Sequence, residues 1–541
     1  MNTIAPEAVV TAALAEKPEL VVRHADLPAT VRALRLVLAT ADDLFARGGI
    51  PVMLVRPNGT LTAKPMTYNN VIVSAHDLCR PVVLDKDGNA QAITLPRAVA
   101  TMFLDLGEWG FPSLAGIASS PLLCADGSFS AKAGHDPKSG IYCEEIPPLA
   151  VPARPSRDGA AAALATLRAA FATFPFAEAR MIKGDGVPKV DPDVPPGMAE
   201  SSFIAALLTA VCRPSLRLAP GLLITAPDVS GAGSGKGLLG RAIGLIAFGR
   251  HVSAMTAGHD RQELDKRLTA ALIEAAPMLL LDNLNATSLR SDTLASILTE
   301  RPAHVRPMGS STMVPLNASA FIIVTGNGLS VTEDLARRFL GCDLDPRCED
   351  PEARPFAPGF LSGIETRRAE LLSACLTIWR WGRQSPSLTP GQSLGSYEEW
   401  SAWVRDPLLA LGCADPVERI RTAKKNDPKR RMLAELYAAW WQHHEARPMT
   451  AATLDEQVLS ILNPQARPRQ YVAQRLLQMV GTRSAGYVLT RQDAGAWSPA
   501  TYALRRASEE CQADSPLSPA SPAPYAPPHG NGAAEPWRGT L

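Results

Sequence analysis

A glycine-rich segment near the middle of the chain has the composition of a phosphate-binding loop. Residues 230–237 read SGAGSGKG and lie between a short apolar run and a segment with helical periodicity. Glycines let successive backbone N–H groups face an anion without an intervening Cβ, and the N-terminus of the following helix adds unpaired N–H groups. A lysine at this place supplies a mobile positive charge for the β- and γ-phosphates of a nucleotide. We therefore expect the nucleotide to be bound by Gly231, Gly233, Ser234, Gly235, Lys236, Gly237 and Leu238.

Two positions of this loop depart from the usual pattern G-x-x-x-x-G-K-[ST]. Ser230 replaces the first glycine, and Gly237 replaces the hydroxyl residue that normally contacts Mg²⁺. A bound Mg²⁺ would then be held by phosphate oxygens, by water and by a carboxylate from elsewhere in the chain.

A carboxylate of the right kind follows a second apolar run, PMLLLDN at residues 277–283. Asp282 ends this run, and the carboxyl edge of a parallel sheet is where ligands of such folds bind. We expect Asp282 to act in catalysis by holding Mg²⁺. The next residue, Asn283, can orient a water molecule but cannot accept its proton. The catalytic base would then be another acid, Glu263 or Glu300, or hydrolysis would be slow.

Polar residues after a third apolar run complete the set of candidate catalytic residues. Asn327 ends the run AFIIVTGN and is expected to position the attacking water beside the γ-phosphate. Arg337 and Arg338 follow, and one of them could stabilise charge on the phosphoryl group in a neighbouring subunit. A turn-forming Gly-Asn pair and an ordinary charged helix surface are the alternative interpretations.

The elements that must position these residues are predicted from hydrophobic periodicity. From about residue 159, helical segments alternate with short apolar runs that have the length of buried strands. This alternation predicts a parallel sheet covered by helices on both faces, and therefore an α/β fold.

The flanking regions have different patterns. Residues 27–46 have helical periodicity, and Asn58-Gly59 between two apolar runs predicts a hairpin. Residues 147–158 hold four prolines and are interpreted as a linker. Ser396 and Glu399 have the spacing of a helix capping box. Residues 449–506 predict two helices and two strands, an order compatible with a winged helix or with a general α+β module.

We expect five parts along the chain. They are an N-terminal α+β domain (1–155), an α/β core around the glycine-rich loop (156–365), a helical domain (366–448), a winged-helix-like module (449–508) and a disordered Pro-rich tail (509–541).

The ordered set of loop lysine, strand-terminal aspartate, strand-terminal asparagine and paired arginines resembles the core of AAA+ P-loop NTPases. More narrowly, the segments LLLDNLNATSLRSDTLASILTERPAHVRPMGSS, FIIVTGNG and EDLARRF are similar to the helicase-like ATPases of phages and integrated mobile elements, which are related to superfamily 3 helicases and primase-helicases. The resemblance covers roughly residues 200–350. No paired-carboxylate primase site is recognisable in the N-terminal region, so primer synthesis is not expected.

This resemblance implies Mg²⁺-dependent ATP hydrolysis coupled to translocation on single-stranded or forked DNA during replication of a phage or mobile element. It also implies a ring, expected to be a homo-hexamer, with DNA in its central pore. The segment from His304 to Pro315 would form a hairpin that projects into this pore. Arg306, Ser310 and Ser311 would then contact DNA phosphates.

Composition limits the other classes of function only weakly. Lys plus Arg number 54 against 53 acidic residues, so a DNA-binding role must depend on local patches. No apolar run is long enough for a membrane helix, and no signal peptide is recognisable at the N-terminus. Nine cysteines lack zinc-type spacing. We therefore expect a cytoplasmic protein with reduced thiols and no membrane contact.

Two alternative functions stay open. Adenylate-kinase-like loops also have glycine after the lysine, which would make the chain a nucleotide kinase, although no matching substrate motif or arginine-rich lid follows. The substitutions at Gly237 and Asn283 instead favour a protein that binds ATP with little hydrolysis and acts as a switch or loader on DNA.

Overall fold

The computed structural model describes residues 17–183, 187–228, 231–256, 261–284, 288–307, 312–331, 333–348, 351–353, 359–386, 388–420, 428–465, 467–493 and 499–506. It divides into two compact units, residues 1–421 and residues 422–541. The division falls inside the expected helical domain 366–448. The five expected domain boundaries stay predictions.

The first unit begins with short strands that form four small sheets, together with three helices. The strands are β1 (Glu19–Val21), β2 (Leu44–Arg47), β3 (Ile50–Val55), β4 (Thr62–Pro65), β5 (Arg80–Leu84), β6 (Ala90–Ala92), β7 (Gly116–Ala118), β8 (Leu122–Leu123), β9 (Phe129–Ser130), β10 (Gly134–Asp136) and β11 (Ile141–Cys143). The helices are α1 (Leu27–Leu38), α2 (Tyr68–Leu78) and α3 (Arg97–Leu104). This mixture confirms the α+β character expected of the N-terminal region.

Two local expectations for this region have different outcomes. The hairpin at Asn58-Gly59 is confirmed, because β3 and β4 pair antiparallel around these two residues, both of which have positive φ. The helix expected over residues 27–46 was too long, since α1 ends at Leu38. Leu44 and Phe45, which prolonged the apolar pattern, are buried in strand β2, and its pairing with β3 outweighs continuation of the helix.

The segment expected to be a linker has no regular structure until α4 (Arg157–Ala170) begins. Leu149 and Val151 nevertheless pack against the main apolar core. Ser156 caps α4 by accepting a 3.0 Å hydrogen bond from the N–H of Gly159. The prolines therefore determine an irregular but packed connection.

The centre of the first unit is a five-stranded parallel sheet. Its strands are β14 (Gly221–Ala226), β15 (Ala254–Met255), β16 (Met278–Leu281), β20 (Phe321–Asn327) and β22 (Phe339–Asp343). Their order across the sheet is β15-β16-β20-β14-β22, with every pairing parallel. The helices around it are α4, α5 (Met198–Cys212), α6 (Lys236–Phe248), α7 (Arg261–Ile273), α8 (Asp292–Thr299), α9 (Glu333–Ala336), α10 (Phe360–Thr366) and α11 (Arg368–Gln384).

Short paired strands accompany this sheet. They are β12 (Met181–Lys183) with β13 (Pro188–Val190), β17 (Ser288–Leu289) with β21 (Ser330–Val331), and β18 (Ala303–Val305) with β19 (Val314–Leu316).

Alternate residues of the sheet strands face two different apolar cores. Leu280 and Ile323 lie in the core that contains residues of α5, α6 and α11. Their chain neighbours Leu281 and Ile322 lie in the core that contains residues of α7 and α8. Both faces of the sheet are therefore covered, which confirms the prediction of a parallel sheet between helical layers.

The first unit continues with one helical stretch made of α12 (Glu398–Trp400), a π-helical segment (Ser401–Arg405) and α13 (Asp406–Ala410). The capping box expected at Ser396 and Glu399 is wrong. Tyr397 precedes the first helical residue without a side-chain cap, and Glu399 instead accepts a hydrogen bond from the backbone N–H of Arg217 at 2.9 Å. The carboxylate is thus used for a long-range contact.

The second unit contains α14 (Pro428–His444), α15 (Glu456–Leu462), α16 (Arg469–Met479) and an antiparallel sheet of β23 (Arg483–Ser484), β24 (Tyr487–Gln492) and β25 (Thr501–Arg506). A further bridge joins Met449 to Tyr502. The two helices and two strands expected over residues 449–506 are confirmed as α15, α16, β24 and β25, and the two-residue strand β23 is an addition that was not predicted. Its assignment as a winged helix stays a prediction, and residues 507–541, including the Pro-rich tail, lie outside the described residues.

Two general properties bear on the expected environment of the protein. Within the described ranges, no helix combines the length and the apolar character needed to cross a bilayer. The described cysteines carry free thiols, and six of them are buried.

Candidate functional site

The glycine-rich loop connects the end of β14 to the start of α6. Gly233 and Gly235 have φ values of 70° and 93°, in the left-handed region that favours glycine. Gly231 approaches the preceding turn so closely that a Cβ there would lie 2.2 Å from the carbonyl oxygen of Pro227. Ser234, fully buried, donates a 2.9 Å hydrogen bond to the carbonyl oxygen of Gly231. These glycines are therefore required by the path of the backbone.

Helix α6 starts at Lys236, so Gly237 and Leu238 belong to its first turn. The backbone N–H groups of such a turn have no partner within the helix. A helix N-terminus at the carboxyl edge of a parallel sheet is favourable for an anion because of these groups and the helix dipole.

The ammonium group of Lys236 is held by three acceptors. It donates to the carbonyl oxygen of Gly231 at 2.7 Å, to Oγ of Ser234 at 3.1 Å and to Oδ1 of Asn327 at 2.6 Å. Burial lowers the pKa of Lys236 from its ordinary value, and the charge of Asp282 opposes this effect. The structure therefore brings together the expected loop lysine and the expected strand-terminal asparagine.

Asp282 lies directly after β16 and contacts the neighbouring strand. Its Oδ1 accepts a hydrogen bond of 2.5 Å from Oγ1 of Thr325 in β20. The hydroxyl of Thr325 also accepts a 3.1 Å hydrogen bond from the backbone N–H of Asn283. One buried hydroxyl thus fixes both the carboxylate and the turn that follows it.

The residue after Asp282 has an unusual backbone. Asn283 has φ of 66°, a left-handed conformation that asparagine tolerates better than most side chains. The backbone at Leu284, one residue later, packs closely against Gly326 of β20, since a Cβ at Gly326 would lie 2.2 Å from the carbonyl oxygen of Leu284. The asparagine at position 283 therefore fits the turn, whatever part it takes in catalysis.

The acids considered as alternative bases are engaged elsewhere. Glu263 in α7 pairs with Arg267 at 3.1 Å, and Glu300 accepts a 2.7 Å hydrogen bond from Oγ of Ser296. Both side chains are exposed. A role for either as the base would need these contacts to open.

A contact that the sequence did not predict links α6 to the aspartate. Arg241, one turn after Gly237, has Nη2 at 3.5 Å from Oδ2 of Asp282. A Cβ at Gly237 would lie 2.7 Å from Nη1 of Arg241 and 3.2 Å from Oδ2 of Asp282. Arg241 therefore takes part of the space that a side chain at position 237 would need.

The residues beside the glycine-rich loop could bind Mg²⁺ through one protein ligand, with the phosphates of a bound nucleotide supplying others. Asp282 provides one carboxylate, and position 237 provides no hydroxyl. Among the described residues, no three or more His, Cys, Asp or Glu side chains form a group suited to a metal. Mg²⁺ is commonly bound by one or two carboxylates together with substrate phosphates and water, so Asp282 suffices only when nucleotide supplies the other ligands.

The two candidate arginines follow helix α9 and have different environments. Arg338 is buried and donates through Nη1 to the carbonyl oxygen of Ala295 and, at 3.1 Å, to Oγ1 of Thr299. It therefore holds the last turn of α8, where a cation is favourable. Arg337 is exposed. Of the two, Arg337 has the side chain that can reach another molecule.

The hairpin expected between the second and third strand motifs is confirmed, since β18 pairs antiparallel with β19. Arg306 follows β18 and is exposed, whereas Ser310 and Ser311 lie outside the described residues. The base of the hairpin packs on the N-terminal region. A Cβ at Gly48 would lie 2.5 Å from side-chain atoms of both Val314 and Leu316.

Sequence reasoning missed Thr325 and Arg241. Thr325 stands inside an apolar run, and a single polar residue in a buried strand was the signal that could have identified it. Arg241 lies four residues after Gly237, so helical periodicity places both on one face of α6. Nothing in the sequence indicates that this arginine turns toward the aspartate.

Comparisons with known proteins give weak similarities. No protein-family model and no curated protein matches the chain. Two apo structures of the NrS-1 C-terminal region align with 61% of this chain and 84% of theirs, at 13% and 11% identity and TM-scores of 0.29 and 0.32. A JCV helicase structure with a bound acetamide compound aligns with 44% of this chain and 63% of its own, at 15% identity and a TM-score of 0.20. TM-scores of this size do not establish a shared fold.

Proposed function

We propose that this protein is an Mg²⁺-dependent ATPase of the helicase type that couples ATP hydrolysis to movement on DNA. The observation that supports this most is the convergence of three side chains at the carboxyl edge of the parallel sheet. Lys236 lies 2.6 Å from Asn327, and Asp282 raises the pKa of Lys236 against the effect of burial. A lysine, a carboxylate and an amide beside a helix N-terminus are the groups that phosphoryl transfer uses for positioning and charge stabilisation.

Each residue has a distinct part in this proposal. The N–H groups of the loop and of the first turn of α6 bind the α- and β-phosphates. Lys236 leaves its contact with Asn327 and pairs with the β- and γ-phosphates. Asn327 then orients the attacking water through its amide. Mg²⁺, held by Asp282 and phosphate oxygens, would neutralise charge that develops on the leaving oxygen.

The coupling to DNA is proposed from two exposed arginines. Arg337 would act as a finger in the nucleotide site of a neighbouring subunit, which requires a closed ring, for which we propose a hexamer. Arg306, after β18, would contact DNA phosphates in the pore. The alternative of an ATP-bound switch with little hydrolysis is favoured by one observation, the asparagine at position 283, which cannot act as a base.

The test is steady-state ATP hydrolysis by the full chain, with and without single-stranded DNA, beside a Lys236→Ala variant. Turnover that DNA stimulates and that the variant lacks would support the ATPase coupled to DNA. Tight ATP binding without turnover on any DNA would contradict it and favour the switch. Phosphoryl transfer to added nucleoside monophosphates would favour the kinase.

A further inference from the structure

Arg241 and Gly237 occupy the region where a hydroxyl side chain usually meets the metal. The guanidinium lies 2.7 Å from the missing Cβ of Gly237 and 3.5 Å from Oδ2 of Asp282. The opposite oxygen of the same carboxylate is held by Thr325 at 2.5 Å. The carboxylate is therefore fixed on one side by a neutral hydroxyl and on the other by a cation that belongs to the chain itself.

Space and charge at this site are linked. A Cβ at position 237 would lie 2.7 Å from Nη1 of Arg241, so a serine or threonine there would require the end of this flexible side chain to shift, whereas glycine leaves room for its contact with Asp282. The side chain of Arg241 is 35% exposed and that of Asp282 is 22% exposed. The pair is thus accessible from solvent, and an incoming nucleotide can reach both partners.

A bare carboxylate beside a polyphosphate repels it, and a divalent metal ordinarily removes this repulsion. At 3.5 Å an arginine offsets the same negative charge without any metal. For Mg²⁺ to bind Asp282, it would have to compete with this resident guanidinium and dehydrate in part, which it does reluctantly.

We propose that Arg241 is a built-in cation at Asp282 that makes nucleotide binding by this chain nearly independent of Mg²⁺. The proposal rests on the proposed function, because it takes the ligand to be a nucleoside di- or triphosphate bound at the loop. Arg241 is a positioning residue in this account. It acts on the phosphates through the charge of Asp282, and Mg²⁺ would still be used for hydrolysis.

The experiment measures the affinity of a ribose-labelled fluorescent ADP analogue for the full chain, once with Mg²⁺ and once with chelator. The quantity of interest is the affinity with Mg²⁺ divided by the affinity with chelator. In the wild-type protein this ratio is expected to be close to one. In Arg241→Gln the unpaired Asp282 weakens metal-free binding, so the ratio is expected to rise about tenfold.

Two further variants separate a specific effect from a general one. Adding Asp282→Asn to Arg241→Gln removes the carboxylate as well, and the ratio is expected to return to about one. Arg32→Gln changes an exposed arginine of helix α1 and is expected to leave both affinities unchanged. Circular dichroism confirms that each variant is folded.

The outcomes distinguish failure of this inference from failure of the proposed function. If the wild-type protein binds the analogue in neither condition, and resembles Lys236→Ala, the nucleotide site itself is wrong. If the wild-type protein binds tightly only with Mg²⁺, or if Arg241→Gln has the same ratio as the wild type, the nucleotide site stands and the role of Arg241 is overturned.

Discussion

Thr325 in β20 donates a hydrogen bond of 2.5 Å to Asp282, which directly follows the adjacent parallel strand β16. The same hydroxyl accepts from the backbone N–H of Asn283, so it links β20 to the turn after β16. Asn327 follows two residues later in β20. A single side chain therefore ties Asp282 and the turn at Asn283 to the strand that carries Asn327.

We predict that Thr325→Val lowers both the stability of the first unit and ATP hydrolysis. Valine keeps the shape of threonine but leaves the N–H of Asn283 and one oxygen of Asp282 without this partner. The free energy of unfolding is expected to fall by about 1–3 kcal/mol. Urea denaturation and steady-state hydrolysis check this.

Thr377→Val is the matched control, since Thr377 is also a buried threonine but its hydroxyl donates to the carbonyl oxygen of Ser373, one helical turn before it in α11. It should leave hydrolysis unchanged. Equal loss of hydrolysis in both variants would contradict a specific role for Thr325.

The lowered pKa of Lys236 predicts an alkaline limit on nucleotide binding. Burial places this pKa below the ordinary lysine value of 10.5. The nucleotide-free protein therefore loses the ammonium charge at a lower pH than an exposed lysine would. Affinity for a fluorescent ADP analogue should begin to fall as pH rises through this lowered pKa. In Lys236→Ala the weak remaining affinity should show no such step, and a step that persists there would assign the effect to another group.

Arg47 is predicted to hold the N-terminal region on the α/β core. Its buried guanidinium donates to the carbonyl oxygens of Leu272 and Ile273 at the end of α7, and to those of Leu114 and Ala115. Burial lowers the pKa of Arg47 to about 10, so the side chain stays charged at neutral pH. Arg47→Met leaves these carbonyls unpaired and should cost about 3 kcal/mol in the free energy of unfolding.

Amide hydrogen exchange shows where Arg47→Met destabilises the protein. The exchange rates should rise in β2 and at the end of α7. Arg32→Met, at an exposed position of α1, serves as the control and should change stability by less than about 0.5 kcal/mol. Unchanged protection at the end of α7 in Arg47→Met would overturn the prediction.

We predict that Arg338 contributes to the stability of the fold and that Arg337 contributes to ATP hydrolysis. Arg338→Ala removes the hydrogen bonds to Ala295 and Thr299 and should destabilise the protein by about 2–3 kcal/mol. Arg337→Ala, at an exposed position, should change stability by less than about 0.5 kcal/mol and lower hydrolysis on the order of a thousandfold, as expected for a finger. Thermal denaturation and hydrolysis assays distinguish the two.

Mixing variants tests whether Arg337 acts between subunits. A site needs Lys236 from one subunit and Arg337 from its neighbour. Equal amounts of inactive Lys236→Ala and inactive Arg337→Ala should therefore regain part of the activity when assembled together. If the mixture stays inactive while the wild type forms rings, Arg337 does not act across the interface.

Much of the α/β core could be predicted because local signals and tertiary packing agree there. The mainly apolar segment from Gly221 to Ala226 and the strand that ends at Asn327 have the short length and apolar character of buried strands. Gly235 and the helical periodicity after it predict the loop and α6. These signals place Lys236, Asp282 and Asn327 at one edge of the sheet.

What could not be predicted depends on contacts between residues far apart in sequence. The end of α1 at Leu38 is decided by the pairing of β2 with β3, which outweighs the apolar pattern. The different environments of Arg337 and Arg338 depend on where α8 ends, because Arg338 donates to residues near that end. Arg241 contacts Asp282 in space that a side chain at position 237 would share. Periodicity describes which face a residue occupies, but not which partner it finds there.

The DNA contact proposed for Arg306 yields the last prediction. This exposed arginine directly follows strand β18, which pairs antiparallel with β19. Arg306→Ala should weaken binding of single-stranded DNA equally for all sequences and reduce the dependence of log affinity on log salt concentration by about one. Arg306→Lys keeps the charge and should retain most of the affinity, because a phosphate contact of this kind needs a cation more than a planar fork. Fluorescence anisotropy with labelled oligonucleotides at several salt concentrations measures both quantities. An unchanged salt dependence in Arg306→Ala would place the DNA elsewhere and remove the β18–β19 hairpin from the proposed mechanism, while the nucleotide site around Lys236 would be unaffected.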